Sequence, residues 1–119
     1  MDLTIYGIGS CDSCRKARKW LTEQSIDHTY HDFREEGLTI QMLERWSGRM
    51  EWHKLLNTRS LTWRKIPDRD RNDMTKSKAF AAMIDQPTLV KRPVLECDEF
   101  IALGFNADNY DSFLGRNDR

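Results

Sequence analysis

The sequence predicts an α/β fold, a four-stranded mixed sheet with an all-helical insertion in the middle. Three observations carry this. An apolar run gives way to an amphipathic stretch near the N-terminus, the middle half keeps helical apolar spacing, and two further apolar runs flank a tight connection near the C-terminus. In order, Leu3, Ile5 and Tyr6 read as a buried strand ending in the turn-like GIGS. Ala17, Trp20 and Leu21 then fall at helical spacing, with Arg15, Lys16, Arg18 and Lys19 largely on the other face. Residues 28–33 (HTYHDF) read as a second strand, and the intervening helix makes a βαβ unit of parallel strands with a right-handed crossover.

From EEGLTIQMLERWSGR through EWHKLL to DMTKSKAFAAMID the periodicity is helical. Leu38, Met42, Leu43 and Trp46 share one face, and Phe80, Ala81, Met83 and Ile84 another. Gln86-Pro87 stops this run. TLVKRPVLEC and EFIALG read as two strands around a connection at Asp98 and Glu99, and DNYDSFL closes with a short helix. The order βα, helical middle, ββα is the thioredoxin-like arrangement. The expected organisation is one domain over residues 1–119, with thioredoxin-like halves at about 1–36 and 87–115 and the insertion at about 37–86.

Nineteen basic residues balance nineteen acidic ones, giving a formal net charge of zero. There is no bulk positive field to hold nucleic acid or a membrane surface, so neither is an expected direct partner. Met1 and Asp2 lead straight into a β-like run, and no apolar stretch approaches a membrane span. The expected location is the cytoplasm. Three cysteines, an odd count without scaffold-like spacing, fit a reducing compartment in which they serve as thiols, metal ligands or transient disulfides.

Cys11 and Cys14 lie three apart where the first strand hands over to the helix. If Cys11 stands at the helix entry and Cys14 one turn in, their sulfurs lie close enough to bridge, and the helix start favours negative charge on Cys11. Arg15 and Lys16 add positive charge nearby, against which Asp12 acts. A zinc site needs four ligands, and the remaining candidates are Cys97, His28, His31 and His53, of which His28 and His31 point to opposite faces of a strand. Two buried small residues are the third reading, weakened by their place in a strand-to-helix loop. The redox pair ranks first, and neither a metal nor a tightly bound cofactor is expected. Cys97 reads as a small buried residue just past a strand.

CDSCRKARKWL, NTRSLTWRKI, KRPVLE and LGFNADNY, in that order along nearly the whole chain, resemble the arsenate reductase (ArsC)/Spx/YffB family, and most of all its short YffB-type and Spx-type members. The resemblance implies that Cys11 is the nucleophile, that Arg92 and Pro93 are the arginine and cis-proline of the facing loop, and that Cys14 matches the second cysteine of Spx-type sequences. Arsenate reductases of this family hold the oxyanion with three arginines. Only Arg92 matches; Asn57 and Phe105 occupy the other two positions. Two missing guanidinium forks remove most of the bidentate oxyanion recognition, so efficient arsenate reduction is not expected. Arg59 and Arg64 are the remaining candidates for an anion site, such as one for a glutathione carboxylate, Arg59 ahead of Arg64.

Cys11 as thiolate is expected to attack an oxidised thiol substrate, Cys14 to resolve the mixed disulfide, and glutathione or a thiol reductant protein to reset the pair. Arg92 supplies positive charge beside the sulfurs, Arg15 and Arg59 line the substrate, and Pro93, if cis, turns a main-chain edge toward Cys11. The resemblance also leaves open a regulator of Spx type, in which the pair is a redox switch and the helical stretch at residues 38–50 docks on RNA polymerase.

Overall fold

A computed structural model describes residues 2–98 and 100–115. Four strands, β1 (Leu3–Gly7), β2 (Thr29–Asp32), β3 (Val94–Cys97) and β4 (Phe100–Leu103), form one sheet in the order β2-β1-β3-β4. β1 runs parallel to β2 and antiparallel to β3, and β3 is antiparallel to β4. This is the mixed sheet of a thioredoxin-like fold. The chain divides into two compact units, residues 1–35 with 92–119, and residues 36–91.

In the first unit, α1 (Asp12–Glu23) crosses from β1 to β2 and buries Cys14, Ala17 and Leu21, a stripe at three- and four-residue spacing. Ala17 and Leu21 meet Leu3, Ile5, Leu95 and Cys97 from the sheet and Tyr110 from α7 (Ala107–Phe113). Leu21 and Ile5 are fully buried, each worth about 1.5–3 kcal/mol of apolar transfer. Cys97 is the last residue of β3 rather than just past it, paired with Leu3 in the ladder. Asp98 turns the chain with φ 51°, whereas Glu99, its expected partner in the connection, lies outside the described residues.

Two strand boundaries differ from expectation. β2 ends at Asp32, and Phe33 opens the short helix α2 (Phe33–Glu36), because the Asp32 carboxylate accepts the Arg34 N–H at 2.8 Å and satisfies a helix-start donor. The run read as TLVKRPVLEC is strand only from Val94. Pro93 has no N–H for the ladder, and Pro87–Leu89 forms a 3₁₀ turn. Val90 keeps a single bridge to Leu56, beside Lys91 N–H on the Leu55 carbonyl at 2.8 Å.

The second unit is built from α3 (Ile40–Ser47), α4 (Leu61–Arg64), α5 (Asp68–Asn72) and α6 (Lys76–Asp85), with a 3₁₀ turn at Trp52–Leu55 where EWHKLL was read as helix. Thr39, Ser60 and Thr75 cap α3, α4 and α6 by accepting from backbone N–H groups three residues on. Leu38, Leu43 and Trp46 are buried, and Met42 is half-buried. On α6 the buried set is Ala79, Phe80 and Met83, while Ala81 and Ile84 face outward. Ala81 and Ile84 are an i, i+3 pair about 100° or more around the helix from the 79/83 line, so the apolar run did not by itself identify the inner face.

Candidate functional site

Cys11 is the N-cap of α1, with φ −79° and ψ 123°, and is partly exposed. Its N–H donates to the Ile8 carbonyl at 2.9 Å, closing a turn over residues 8–11, and its carbonyl accepts the Arg15 N–H at 3.0 Å, opening the helix. A capping residue normally contributes an oxygen; here the position carries sulfur and makes no side-chain cap. The sulfur thus stands at the positive end of a 12-residue helix.

One turn in, Cys14 is fully buried. It fits because β1 ends in Gly7: a Cβ there would overlap the Cys14 sulfur and lie 3.1 Å from its Cβ. Burial pushes the Cys14 thiol up to about 12. An Ile8 backbone N–H at the sulfur pulls it back, the hydrogen bond it donates to Cys11 and the Cys11 charge raise it, and the Arg92 guanidinium lowers it. At neutral pH, Cys14 is therefore a thiol.

Arg92 is half-buried, and its Nε is buried without a hydrogen-bond partner among the described residues. It is the cation that acts on Cys14. Arg15 is exposed and engaged with Asp12 at 3.7 Å, and Lys16 meets the same carboxylate at 3.1 Å, so Asp12 takes up the charge expected of both. The Arg92–Pro93 peptide is cis, and Pro93 is fully buried. Its carbonyl accepts the Gly104 N–H at 2.9 Å, which leaves one lone pair for any other donor.

All three cysteines are thiols. Cys97 is buried in the sheet core, where burial, and then Asp98, raise its pKa. Among the described residues no group of three His, Cys, Asp or Glu side chains is arranged to hold a metal ion. None of their helices is long and apolar enough to cross a membrane.

Sequence reasoning missed Asp32 and Tyr30. Asp32 is buried at the end of β2 and accepts from Gly9 N–H and Tyr30 O–H, both at 2.9 Å, and from Arg34 N–H at 2.8 Å. Burial alone raises its pKa, but Arg34, Tyr30, Gly9 and the Glu35 backbone together hold it below the usual carboxylate range. Burial, with Asp32 next, pushes Tyr30 up to about 12, and Arg18 lies 3.7 Å over its ring. Within HTYHDF these residues read only as alternating strand positions.

Residues 6–113 match the ArsC family model. The chain belongs to the ArsC family. It is 41% identical to an arsenate reductase (ArsC) related protein from Brucella melitensis, covering 96% of this chain and 95% of that one at a TM-score of 0.78. A protein named YFFB is 35% identical over 92% of this chain and 96% of its own, with a TM-score of 0.86. The global transcriptional regulator Spx of Staphylococcus epidermidis is 31% identical over 119 residues, covering 98% of this chain and 90% of the relative.

Within this ArsC-family chain, the two positions expected to lack oxyanion arginines have other tasks. Phe105 packs edge-on to Tyr110 with ring centroids 5.0 Å apart and lies 6.3 Å from Trp20. Asn57 belongs to the second unit, where its N–H donates to the Leu89 carbonyl at 2.7 Å and its side chain accepts the Arg59 N–H at 3.1 Å. Arg59 follows in that exposed turn, and Arg64 ends α4. The residues at 38–50 read as a docking face place Leu38, Leu43 and Trp46 in that unit's interior, leaving Ile40 exposed.

Proposed function

We propose that this protein is a thiol–disulfide oxidoreductase of the ArsC/Spx type that uses Cys11 and Cys14 as its redox pair and glutathione as reductant. The observation that carries the reading is the asymmetry of the pair: a partly exposed cysteine at a helix start, and one turn in a fully buried thiol. Exposure lets Cys11 meet a substrate, and burial keeps Cys14 protonated until a bond to Cys11 needs resolving.

In the first step the Cys11 thiolate attacks one sulfur of a substrate disulfide. A Cys11–substrate disulfide forms, the substrate S–S bond breaks, and one thiolate leaves. Cys14 then loses its proton and attacks the Cys11 sulfur. The Cys11–Cys14 disulfide forms, the second substrate thiolate leaves, and the substrate is reduced by two electrons. Two glutathione thiols reset the pair and emerge as glutathione disulfide. Arg92 stabilises negative charge on the sulfurs as the bonds exchange. Pro93 and Arg15, on the same unit as the cysteines, are the proposed substrate contacts, and Arg59, on the other unit, is left to mutagenesis; the proposed setting is the cytoplasm, where thiols stay reduced.

Cys14→Ser tests this by trapping. Incubation with glutathione disulfide should leave a stable glutathione adduct on Cys11, whereas the natural chain should pass on to an internal disulfide; mass spectrometry reads both. An adduct on Cys97, or no adduct, sinks the mechanism. Arsenate reduction should be weak, because a charged hydrogen bond is worth roughly 1.5–3 kcal/mol and the aromatic and turn roles of Phe105 and Asn57 supply none. The expected deficit is about two to four orders of magnitude against an enzyme with three arginines; saturable, efficient turnover of arsenate would withdraw the disulfide reading.

The 31% identity to Spx favours a second reading, a redox-switched regulator that binds RNA polymerase. Repeated turnover with glutathione separates the two: an enzyme cycles, whereas a switch changes its affinity for polymerase on oxidation.

A further inference from the structure

Two carboxylates are buried among the described residues. Glu96 accepts the Tyr6 hydroxyl at 2.8 Å within the sheet. Asp32 reaches out of the sheet. It ends β2 as the register partner of Gly7, the residue whose missing side chain admits Cys14. Its Oδ2 receives Gly9 N–H and Tyr30 O–H, and its Oδ1 receives Arg34 N–H.

Gly9 is the second residue of the turn that Cys11 N–H closes on the Ile8 carbonyl. The Ile8 N–H, on the same short segment, donates to the Cys14 sulfur. Residues 8 and 9 therefore hold Cys11 through a carbonyl, Cys14 through one N–H and Asp32 through the next. The space beside Gly9 is tight as well, since a Cβ there would stand 3.3 Å from Asp32 Oδ2.

We propose that Asp32 is a positioning residue for both thiols: its carboxylate anchors the 8–11 turn to β2 and so holds Cys11 and Cys14 in the register that disulfide exchange between them requires. What this positioning serves rests on the thiol–disulfide reading above; the anchoring itself does not. Exchange needs the attacking sulfur in line with the bond it breaks, and a displacement of about 1 Å in such a geometry costs on the order of a hundredfold in rate. A carboxylate suits the task because donors approach both oxygens. An asparagine offers one oxygen and one NH₂, so either orientation sets a donor against a donor.

The test compares Asp32→Asn and Tyr30→Phe with the natural chain. Each is treated with glutathione disulfide, and the rate at which the Cys11–glutathione adduct passes to the internal disulfide is followed by quenched mass spectrometry. Iodoacetamide labelling of buried Cys97 reports general loosening. Asp32→Asn should slow resolution about tenfold or more with Cys97 labelling unchanged, and Tyr30→Phe, which keeps the carboxylate, should stay within about threefold. An unchanged resolution rate, or a Cys97 rate that rises by the same factor, overturns the proposal.

Amide resonances of the natural chain keep the question open to refutation if Asp32→Asn does not fold. Those of Gly9, Cys11 and Arg34 should titrate together in acid, with one midpoint below the usual carboxylate range; Gly9 and Cys11 failing to follow Arg34 overturns the anchor. If the natural chain forms no internal disulfide at all, the thiol–disulfide reading falls while this titration still decides the role of Asp32.

Discussion

The two units of this chain fill their interiors with different chemistry. In the helical unit, residues 36–91, the buried side chains are hydrocarbon, thioether and indole: Leu38, Leu43, Trp46, Leu55, Leu56, Ala79, Phe80, Met83, Leu89 and Val90. The sheet unit buries thiols and carboxylates beside its Leu, Ile and Val: Cys14, Cys97, Asp32 and Glu96. Cys14, Tyr30, Asp32, Cys97 and Tyr110, whose titrations are displaced, all belong to it. Buried polar groups are costly unless each has a partner, and in the sheet unit the partners are set at fixed places by strand register and by the turn after β1. The difference teaches where a substitution is felt. Volume matters in both units, but proton balance and donor count matter mainly in the sheet unit.

The largest expected effect comes from closing the gap that admits Cys14. Gly7→Val sets a branched side chain against the Cys14 sulfur and Cβ, and should cost about 3 kcal/mol in urea unfolding, the upper end for overpacking. A loss below about 0.5 kcal/mol would show that β1 and α1 separate easily, and the contrast between the units would weaken.

Alkaline pH gives an intermediate effect. Cys14 sits near 9 when unexposed to the fold and at about 12 in it, so the folded state holds the proton more tightly. Its contribution is complete below pH 9 and is lost as pH rises through 12, with a slope of up to about 1.4 kcal/mol per pH unit for one proton. Tyr30, raised to about 12, loses its share in the same direction. Stability measured at pH 8 to 10.5 should therefore fall less steeply in Cys14→Ala than in the natural chain. Equal slopes would remove Cys14 from the account.

The smallest expected effect lies in the helical unit. Gly48, at the C-cap of α3, has φ −73° and ψ −14°, and a Cβ there meets nothing closer than 3.4 Å. Gly48→Ala should stabilise by about 0.4–1 kcal/mol in urea unfolding by restricting the unfolded chain. A loss of stability would mean that position 48 does not tolerate a side chain, and the helical unit would then share the close packing of the Gly7 site.

How much of this was legible beforehand depended on the reach of each contact. The helix after Cys11 announced itself because Ala17 and Leu21 recur at the spacing of a single local element. The α6 face is not resolved by pattern at Ala81 and Ile84, because Phe80, Ala81, Met83 and Ile84 spread over about 160° of the helix circumference, wider than the stripe that is buried. Pro93 truncates a strand that composition extends: its missing N–H is legible in the sequence, but where the ladder ends is set by the partner strand, at Val94 opposite Tyr6.

By itself the sequence determined the succession of strands and helices, the CxxC at the strand-to-helix junction, and the absence of arginine at positions 57 and 105, since each is a property of neighbouring residues or of one residue's chemistry. Only the tertiary structure decided that Cys14 lies against Gly7, that Arg92 is the cation acting on it, and that Asp32 holds Gly9 across 23 residues. Those pairings are made when β1, β2 and the loop before β3 come side by side. Periodicity reports which way a side chain points along its own element, and is silent on the group that another element brings to meet it.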